Sequence, residues 1–202
     1  MLLADEFFLL AHDEMTGKPK LRPKIAGMGL AAALLAELVL ANRITVHGGA
    51  LSVQDRRPPA DALAHTVLDQ LIGEPEHRDV RVWLEYLGRS AHESVGERLA
   101  RAGVVRRQST RRLLATTTTY VPIDINDAAW PTARLRALLD RGEAMNLSDT
   151  VLLGLIEATG LSRAVLSRSG EEVRRLLATL PPPLIELITQ TEATVAVALT
   201  PR

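Results

Sequence analysis

Nine cationic side chains lie in two stretches of the sequence that contain no carboxylate. The first stretch, residues 15–36, carries four of them, and the second, residues 100–123, carries five. They are Lys18, Lys20, Arg22, Lys24, Arg101, Arg106, Arg107, Arg111 and Arg112. The chain has no net charge, so the remainder holds 15 basic against 24 acidic residues. This distribution predicts a polarised molecule with a basic face that binds anions; for either stretch alone, a solvated loop is the alternative.

The sequence carries no recognisable catalytic or metal-binding motif. It has no cysteine, which excludes disulfides and thiolate metal sites. Its five histidines are scattered without metal-ligand spacing; they are His12, His47, His65, His77 and His92. There is no nucleophile elbow, P-loop or dinucleotide-binding glycine motif, and no carboxylates pair in an apolar context. We therefore predict a binding protein without a cofactor, and not an enzyme.

The elements that must position these charges are predicted to be helices packed in a single domain, residues 1–202. Apolar residues make up 47% of the chain, mainly Leu, Ala and Val, whereas aromatic residues make up 3%. This composition favours helix packing over a β-sandwich core. Residues 44–53 and 104–120 are predicted to form β-hairpins. The predicted fold class is mainly α, a single-domain helical bundle decorated by two short β-hairpins.

Helical periodicity and helix-breaking residues predict ten helices. They run approximately over residues 4–11, 25–42, 60–72, 80–87, 90–103, 127–141, 148–159, 161–168, 171–180 and 183–199. The second contains the longest uncharged apolar run, residues 25–36. This run is shorter than the roughly 20 residues that span a bilayer, which predicts a buried core helix. Its Gly27 and Gly29 favour a close helix crossing. The fifth helix is predicted to begin with a capping box at Ser90 and Glu93.

The N-terminal residues and the proportions of arginine and lysine predict where in the cell the protein is located and from which kind of organism it comes. Residues 1–6 lack the positively charged region of a signal peptide, so the protein is expected in the cytosol. Basic side chains comprise 21 arginines and 3 lysines, which favours a GC-rich bacterial genome. We therefore predict a cytoplasmic bacterial protein.

Four stretches occur in a recognisable order along the chain. They are LLADEFFLL at 2–10, GLAAALLAELVLANRI at 29–44, ERLARAGVV at 97–105 ahead of the second hairpin, and VLLGLI at 151–156. In order and spacing this set resembles the Golgi phosphoprotein 3 family over nearly the whole chain. The resemblance implies a mainly α-helical, non-enzymatic domain that binds phosphatidylinositol 4-phosphate at a membrane. The family's eukaryotic members are also adaptors for the cytosolic tails of Golgi glycosyltransferases.

The resemblance also implies a lipid-headgroup pocket. The family's tryptophan before the first long helix falls at Arg22, and its helix arginine falls at Ala31. Its two basic residues three positions apart fall at Arg89 and His92. The predicted headgroup-binding residues are Arg22, Lys24, Arg89 and His92. Because Ala31 replaces an arginine of the family pattern, the resemblance favours anion binding over strict recognition of the 4-phosphate.

The chemistry of Arg89 and His92 is compatible with a phosphate site. Arg89 precedes the predicted cap Ser90, and His92 lies in the first helical turn, where backbone N–H groups are unpaired. Arginine binds phosphate bidentately. His92 would carry charge only when protonated, so binding is predicted to strengthen as the pH falls from about 7.5 to 6. The alternative is that Arg89 solvates a loop and His92 is an ordinary surface residue.

The tip of the second hairpin is the predicted membrane contact, since the family inserts its hairpin tip into the bilayer. Here the tip comprises Arg111, Arg112, Leu113 and Leu114, two cations beside two leucines. Each basic side chain contributes about 1 kcal/mol to binding at an anionic membrane surface. A hairpin that covers a core edge or a subunit contact is the alternative.

The predicted function is non-enzymatic recognition of anionic, phosphoinositide-like headgroups by a protein peripherally associated with the cytosolic face of a membrane. A winged-helix-like nucleic-acid-binding protein is one alternative, because a helix followed by a basic hairpin fits that module. Glu93 and Glu97 on the recognition helix and the zero net charge argue against it, so no nucleic acid is expected. A protein–protein adaptor for cytosolic tails of membrane proteins is the other alternative. A homo-oligomer is left open.

Overall fold

A computed structural model of the protein describes residues 1–112, 115–166 and 170–200, with the backbone alone described at 110–112 and 115–117. Within these residues the fold is mainly helical, as predicted, and the predicted helices are displaced by a few residues at most. The helices are α1 (Leu3–Leu10), α2 (Pro23–Leu40), α3 (Ala62–Gly73), α4 (Val80–Gly88), α5 (Ala91–Arg101), α6 (Ile125–Arg141), α7 (Leu147–Ala158), α8 (Ser162–Val165), α9 (Glu171–Leu177) and α10 (Pro182–Leu199).

Two antiparallel hairpins accompany the helices, as the sequence predicts. Strand β1 (Ile44–His47) pairs with β2 (Ala50–Val53), and β3 (Val105–Arg112) pairs with β4 (Ala115–Pro122). Gly48 and Gly49 connect the first pair with φ angles of +61° and +74°. These left-handed conformations suit glycine because it has no Cβ, so the paired glycines determine this turn.

Helix α2 is the centre of the fold. It is long and apolar enough to cross a membrane by length and composition, but 78% of it is buried inside the protein, in agreement with the predicted core helix. An added Cβ at Gly27 would collide with the carbonyl oxygen of Gly88, and one at Gly29 would collide with the ring of Phe7. The predicted close crossing therefore exists, and it brings the end of α4 against the beginning of α2.

The predicted capping box at Ser90 is wrong, because the Ser90 side chain makes no capping hydrogen bond to α5. Capping requires an extended backbone that turns the side chain back toward the helix. Only Arg89 and Ser90 separate α4 from α5, and both keep helical backbone angles. The chain therefore passes from one helix to the next without the extended residue that a cap needs.

A buried ionic cluster joins α1, α2 and α5 to Asp61, the residue that caps the beginning of α3. Its centre is Arg98, whose guanidinium lies 2.8 Å from Asp5, 2.9 Å from Asp61 and 3.5 Å from Glu37. Burial raises the pKa of Asp5 and of Glu37 above their ordinary values, although Arg98 acts in the opposite direction on both. Burial alone would lower the pKa of Arg98, but the carboxylates around it, led by Glu37, raise it overall.

Candidate anion-binding site

A pocket of about 410 Å³ opens where the beginning of α2 meets the end of α4. The contact between Gly27 and Gly88 positions it by holding the two helix ends together. Its lining consists of Pro23, Lys24, Met28, Glu85, Gly88 and Arg89. Two of the four residues predicted to bind a headgroup, Lys24 and Arg89, therefore share one pocket although they are far apart in the sequence.

The charges at this pocket favour an anion. Lys24 and Arg89 supply two cations, and α2 begins here with no acidic residue in its first turn, so its partial positive charge is uncompensated by its own side chains. Glu85 is the opposing charge: its carboxylate lies 3.9 Å from the Lys24 ammonium, and the two side chains are 52% and 64% exposed. Among the described residues, no carboxylate lies within 4 Å of the Arg89 guanidinium.

Arg22 lies next to the pocket but does not line it. It is the residue before α2, with an extended backbone, and its carbonyl accepts hydrogen bonds from the amides of Ile25 and Ala26. Its side chain is exposed and does not cap the helix. Arg22 therefore adds positive charge beside Lys24, at a position from which a long side chain reaches solvent.

His92 belongs to a different cluster. Its Nε2 atom lies 3.0 Å from Nε2 of His12, and its ring packs 5.1 Å from the ring of Phe8. Since His12 Nδ1 donates to the Phe8 carbonyl, His12 Nε2 accepts and His92 Nε2 donates. Burial lowers the pKa of His12 to about 4 and also lowers the pKa of His92. His92 is therefore neutral near pH 7 and is not among the described residues that line the pocket.

The two acid-free stretches meet at the second hairpin. Gly17, with a φ of +65°, packs so closely against the backbone of Tyr120 in β4 that a side chain at this position would collide with it. Strand β4 pairs with β3, in which Arg107 lies opposite Tyr120. The loop at residues 13–20 therefore packs against β4, the strand that pairs with the one carrying Arg106 and Arg107.

Several cations of these stretches are already paired with carboxylates. The Lys20 ammonium lies 3.0 Å from Glu14, and Arg107 Nε lies 3.3 Å from Glu97. Lys18 is exposed on the loop. Partner carboxylates reduce the field that these groups present to an external anion. Lys24 also has a partner, but Glu85 lies farther away at 3.9 Å, and Arg89 has none among the described residues, so their pocket is the stronger candidate.

The predicted membrane contact at the hairpin tip falls largely outside the described part of the protein. Arg111 and Arg112 form the end of β3, where the backbone alone is described. Leu113 and Leu114 lie outside the described residues. Membrane contact by this tip therefore stays a prediction.

Two exposed apolar side chains on α4 were not anticipated from the sequence. Val82 and Tyr86 are 51% and 50% exposed and lie one helical turn apart on the same helix as Glu85. They border a second pocket of about 390 Å³, which Trp83 also lines. The available signal was an apolar pair at i and i+4 on a face that also carries charged residues. The outer face of α4 therefore presents apolar groups next to the anion pocket.

The chain matches a known protein-family model over nearly its whole length. The model described as Golgi phosphoprotein 3 (GPP34) matches residues 3–197. No curated protein sequence matches the chain.

Proposed function

The chain belongs to the Golgi phosphoprotein 3 family, and from this premise we propose that it binds anionic phospholipid headgroups through the pocket of Lys24 and Arg89. The family is not an enzyme family, and membership suggests interaction with lipids or protein tails in general. The observation that carries the proposal is the convergence of these two cations on one pocket at the beginning of α2.

A phosphate group suits this pocket in charge and shape. The planar guanidinium of Arg89 can hold two phosphate oxygens, while Lys24 acts as a point charge. Pro23 has no N–H, and the amides of Ile25 and Ala26 already donate to Arg22. The helix dipole and the amide of Lys24 therefore supply the partial positive charge at the beginning of α2. The volume of about 410 Å³ falls within the range of pockets that hold small ligands. Ala31 is fully buried in the core and supplies no further cation, so the proposed ligand is an anionic phospholipid headgroup and not strictly the 4-phosphate.

The surroundings of the pocket support peripheral attachment to a membrane surface. Val82 and Tyr86 place apolar atoms beside the headgroup site, where tyrosine suits the boundary between lipid and water. Lys18 on the loop at residues 13–20 and Arg106 in β3, both exposed, add attraction to anionic lipids, which amounts to about 1 kcal/mol per basic residue near the surface. The proposed location is the cytoplasm, with reversible attachment to the cytosolic face of a membrane.

Vesicle sedimentation tests the proposed function. The protein is expected to sediment with phosphatidylcholine vesicles that contain an anionic phosphomonoester lipid and to remain in solution with pure phosphatidylcholine. Raising the salt concentration should weaken binding, because salt screens exposed charges. Equal binding to both vesicle types, or binding to neither, would contradict the proposal. Tighter binding to a DNA duplex at the same salt would instead favour a nucleic-acid partner.

Glu85 is expected to limit the affinity for anions. Glu85→Gln removes the carboxylate that pairs with Lys24 and repels a phosphate, so binding to anionic vesicles should strengthen roughly two- to fivefold, as expected for an exposed charge pair. Sedimentation over a range of lipid concentrations measures the change. Glu172→Gln on α9 removes an equal charge from an exposed position outside the pocket and serves as the control. An equal increase in vesicle binding by both variants would indicate that the headgroup binds outside this pocket.

A further inference from the structure

The last two turns of α10 expose apolar side chains to solvent. Val197 is 73% exposed and Leu199 is 48% exposed, and Ala193 and Ala196 are exposed beside them. Residues 193–200 contain no charged side chain. The solvated face of a helix normally carries charged and polar residues, so this end of α10 is suited to contact something other than water.

A small apolar cluster holds this end of α10 beside the beginning of α2. Val195 is buried against Ile25 and Met28, and Ala198 packs against the same cluster. Met28 also lines the proposed headgroup pocket. The exposed apolar side chains of α10 therefore lie at the end of the molecule where that pocket opens.

The course of α4 and α10 gives the same arrangement. At the other end of α2, the first hairpin lies against α10, where the amide of Gly49 donates to the Glu186 side chain. One turn farther along α10, the Nε atom of Arg81 at the beginning of α4 donates to Gln190 Oε1 at 2.8 Å. From there both helices continue toward the beginning of α2, which α4 reaches where its last glycine contacts that helix. The ends of α4 and α10 therefore share one end of the molecule with the beginning of α2.

The charges around this end favour an anionic surface. Arg22, Lys24 and Arg89 are exposed there. The opposing carboxylate is Glu85, which pairs with Lys24, whereas Glu192, the last carboxylate of α10, precedes the apolar turns. A second copy of the chain in a symmetric contact would bring the same three cations against these, and like charges oppose association. An anionic membrane supplies both the opposite charge and an apolar layer beneath it.

The end of α10 is suited to a shallow contact with a membrane. The last carbonyl groups of a helix have no partner within the helix, and the hydrocarbon layer offers them no hydrogen bonds. The Thr200 hydroxyl donates to the Ala196 carbonyl and its amide donates to the Val197 carbonyl. The carbonyl groups beyond these two are compatible with water or lipid headgroups but not with the hydrocarbon layer. This helix end therefore belongs at the boundary between headgroups and acyl chains.

We propose that Val197 and Leu199 enter the boundary between the headgroups and the acyl chains of an anionic membrane while the neighbouring pocket holds a headgroup. This contact rests on the proposed function and adds to it an apolar contact on an element other than the second hairpin. The pocket selects an anionic headgroup, and the end of α10 adds hydrophobic attraction that does not depend on charge. Binding to the membrane therefore keeps a component that salt does not screen.

A fluorescent label at position 197 tests this contact directly. The chain has no cysteine, so Val197→Cys gives a single site for a nitrobenzoxadiazole label, whose emission rises and shifts to shorter wavelength in an apolar environment. Both changes are expected with vesicles of phosphatidylcholine and phosphatidic acid, and a nitroxide on the lipid acyl chain should quench the label. Ser148→Cys is the control, because Ser148 is exposed and lies with Leu40 and Ala41 at the end of α2. Its label should show neither change.

Removing the apolar groups separates this contact from the pocket. Val197→Ser combined with Leu199→Ser should weaken binding to the same vesicles by about tenfold, because less apolar surface leaves water. The melting temperature should not change, since both side chains are exposed. Binding of soluble glycerol 3-phosphate, followed by NMR, should also stay unchanged. Leu147→Ser combined with Ile185→Ser removes exposed apolar groups near the beginning of α10 and should leave vesicle binding unchanged.

The outcomes distinguish this contact from the proposed function. If the protein sediments with the vesicles but the label at position 197 stays in water, or if the serine double variant binds like the wild type, the contact is overturned and the pocket stands. If the label enters the membrane equally well in Lys24→Ala/Arg89→Ala, the contact is supported and the pocket is contradicted. Absence of sedimentation overturns both. A dimer that forms without lipid and is lost in the serine double variant would identify a second copy of the chain as the occupant and overturn the proposal.

Discussion

Replacing both Lys24 and Arg89 with alanine is expected to lower the affinity for anionic vesicles by about a hundredfold or more. Each charged hydrogen bond to a phosphate contributes roughly 1.5–3 kcal/mol, so the loss of two removes about 3 kcal/mol or more. Both side chains are exposed, and surface substitutions usually change stability by less than about 0.5 kcal/mol. The double variant should therefore stay folded and have an unchanged melting temperature.

The control for this double variant removes an equal charge elsewhere. Arg141 and Arg175 are exposed on α6 and α9 and lie outside the lining of the pocket. Replacing both with alanine should lower the affinity for anionic vesicles only severalfold. If one phosphate lies between Lys24 and Arg89, their single replacements should be non-additive in a double-mutant cycle. An equal loss in both double variants would indicate general attraction without a pocket, and wild-type binding by Lys24→Ala/Arg89→Ala would refute the site.

Replacing Arg98 with methionine is expected to lower the free energy of unfolding by about 3–5 kcal/mol at neutral pH, the usual cost of removing one partner from a buried ionic cluster. Methionine preserves much of the side-chain volume, so the loss reports mainly on charge. The variant leaves Asp5, Glu37 and Asp61 close together without their common cation. Urea unfolding followed by circular dichroism measures the difference from the wild type.

The loss of unfolding free energy caused by Arg98→Met should become smaller as the pH is lowered. Burial already raises the pKa of Asp5 and Glu37 in the folded protein, and removing Arg98 takes away an influence that lowers both. A carboxyl group whose pKa is higher in the folded state binds more protons there, so stability rises as the pH falls through that pKa. The free energies of unfolding of the variant and the wild type should therefore approach each other as the pH falls from neutral to about 4, the ordinary range of carboxyl pKa values.

The control for Arg98→Met is Arg101→Met, one turn later on α5, where the side chain is exposed. It should change the free energy of unfolding by less than about 0.5 kcal/mol. A small effect of Arg98→Met at pH 7 would mean that the cluster is unimportant for stability. A deficit that stays constant down to pH 4 would mean that the loss does not come from carboxylates left without their cation.

The sequence by itself determined the features that depend on neighbouring residues. Helical periodicity and helix-breaking residues located the helices, because an amphipathic or fully apolar stretch reveals which face is buried. Gly48 and Gly49 determined the first turn, since the left-handed backbone there favours glycine. Gly27 predicted the close crossing but did not identify Gly88 as its partner. The capping prediction at Ser90 failed because the backbone there continues the geometry of α4.

Only the tertiary structure decided which distant side chains share a site. His12 and His92 are 80 residues apart and hydrogen-bonded, a contact that the sequence did not predict; a role of His92 in headgroup binding stays a prediction. Asp5 and Arg98 are 93 residues apart and in contact. Sequence periodicity indicates which face of a helix is buried, but it does not specify the helix against which that face packs. Lys24 and Arg89 line one pocket because two glycines allow α2 and α4 to touch, and that contact depends on the packing of the whole fold.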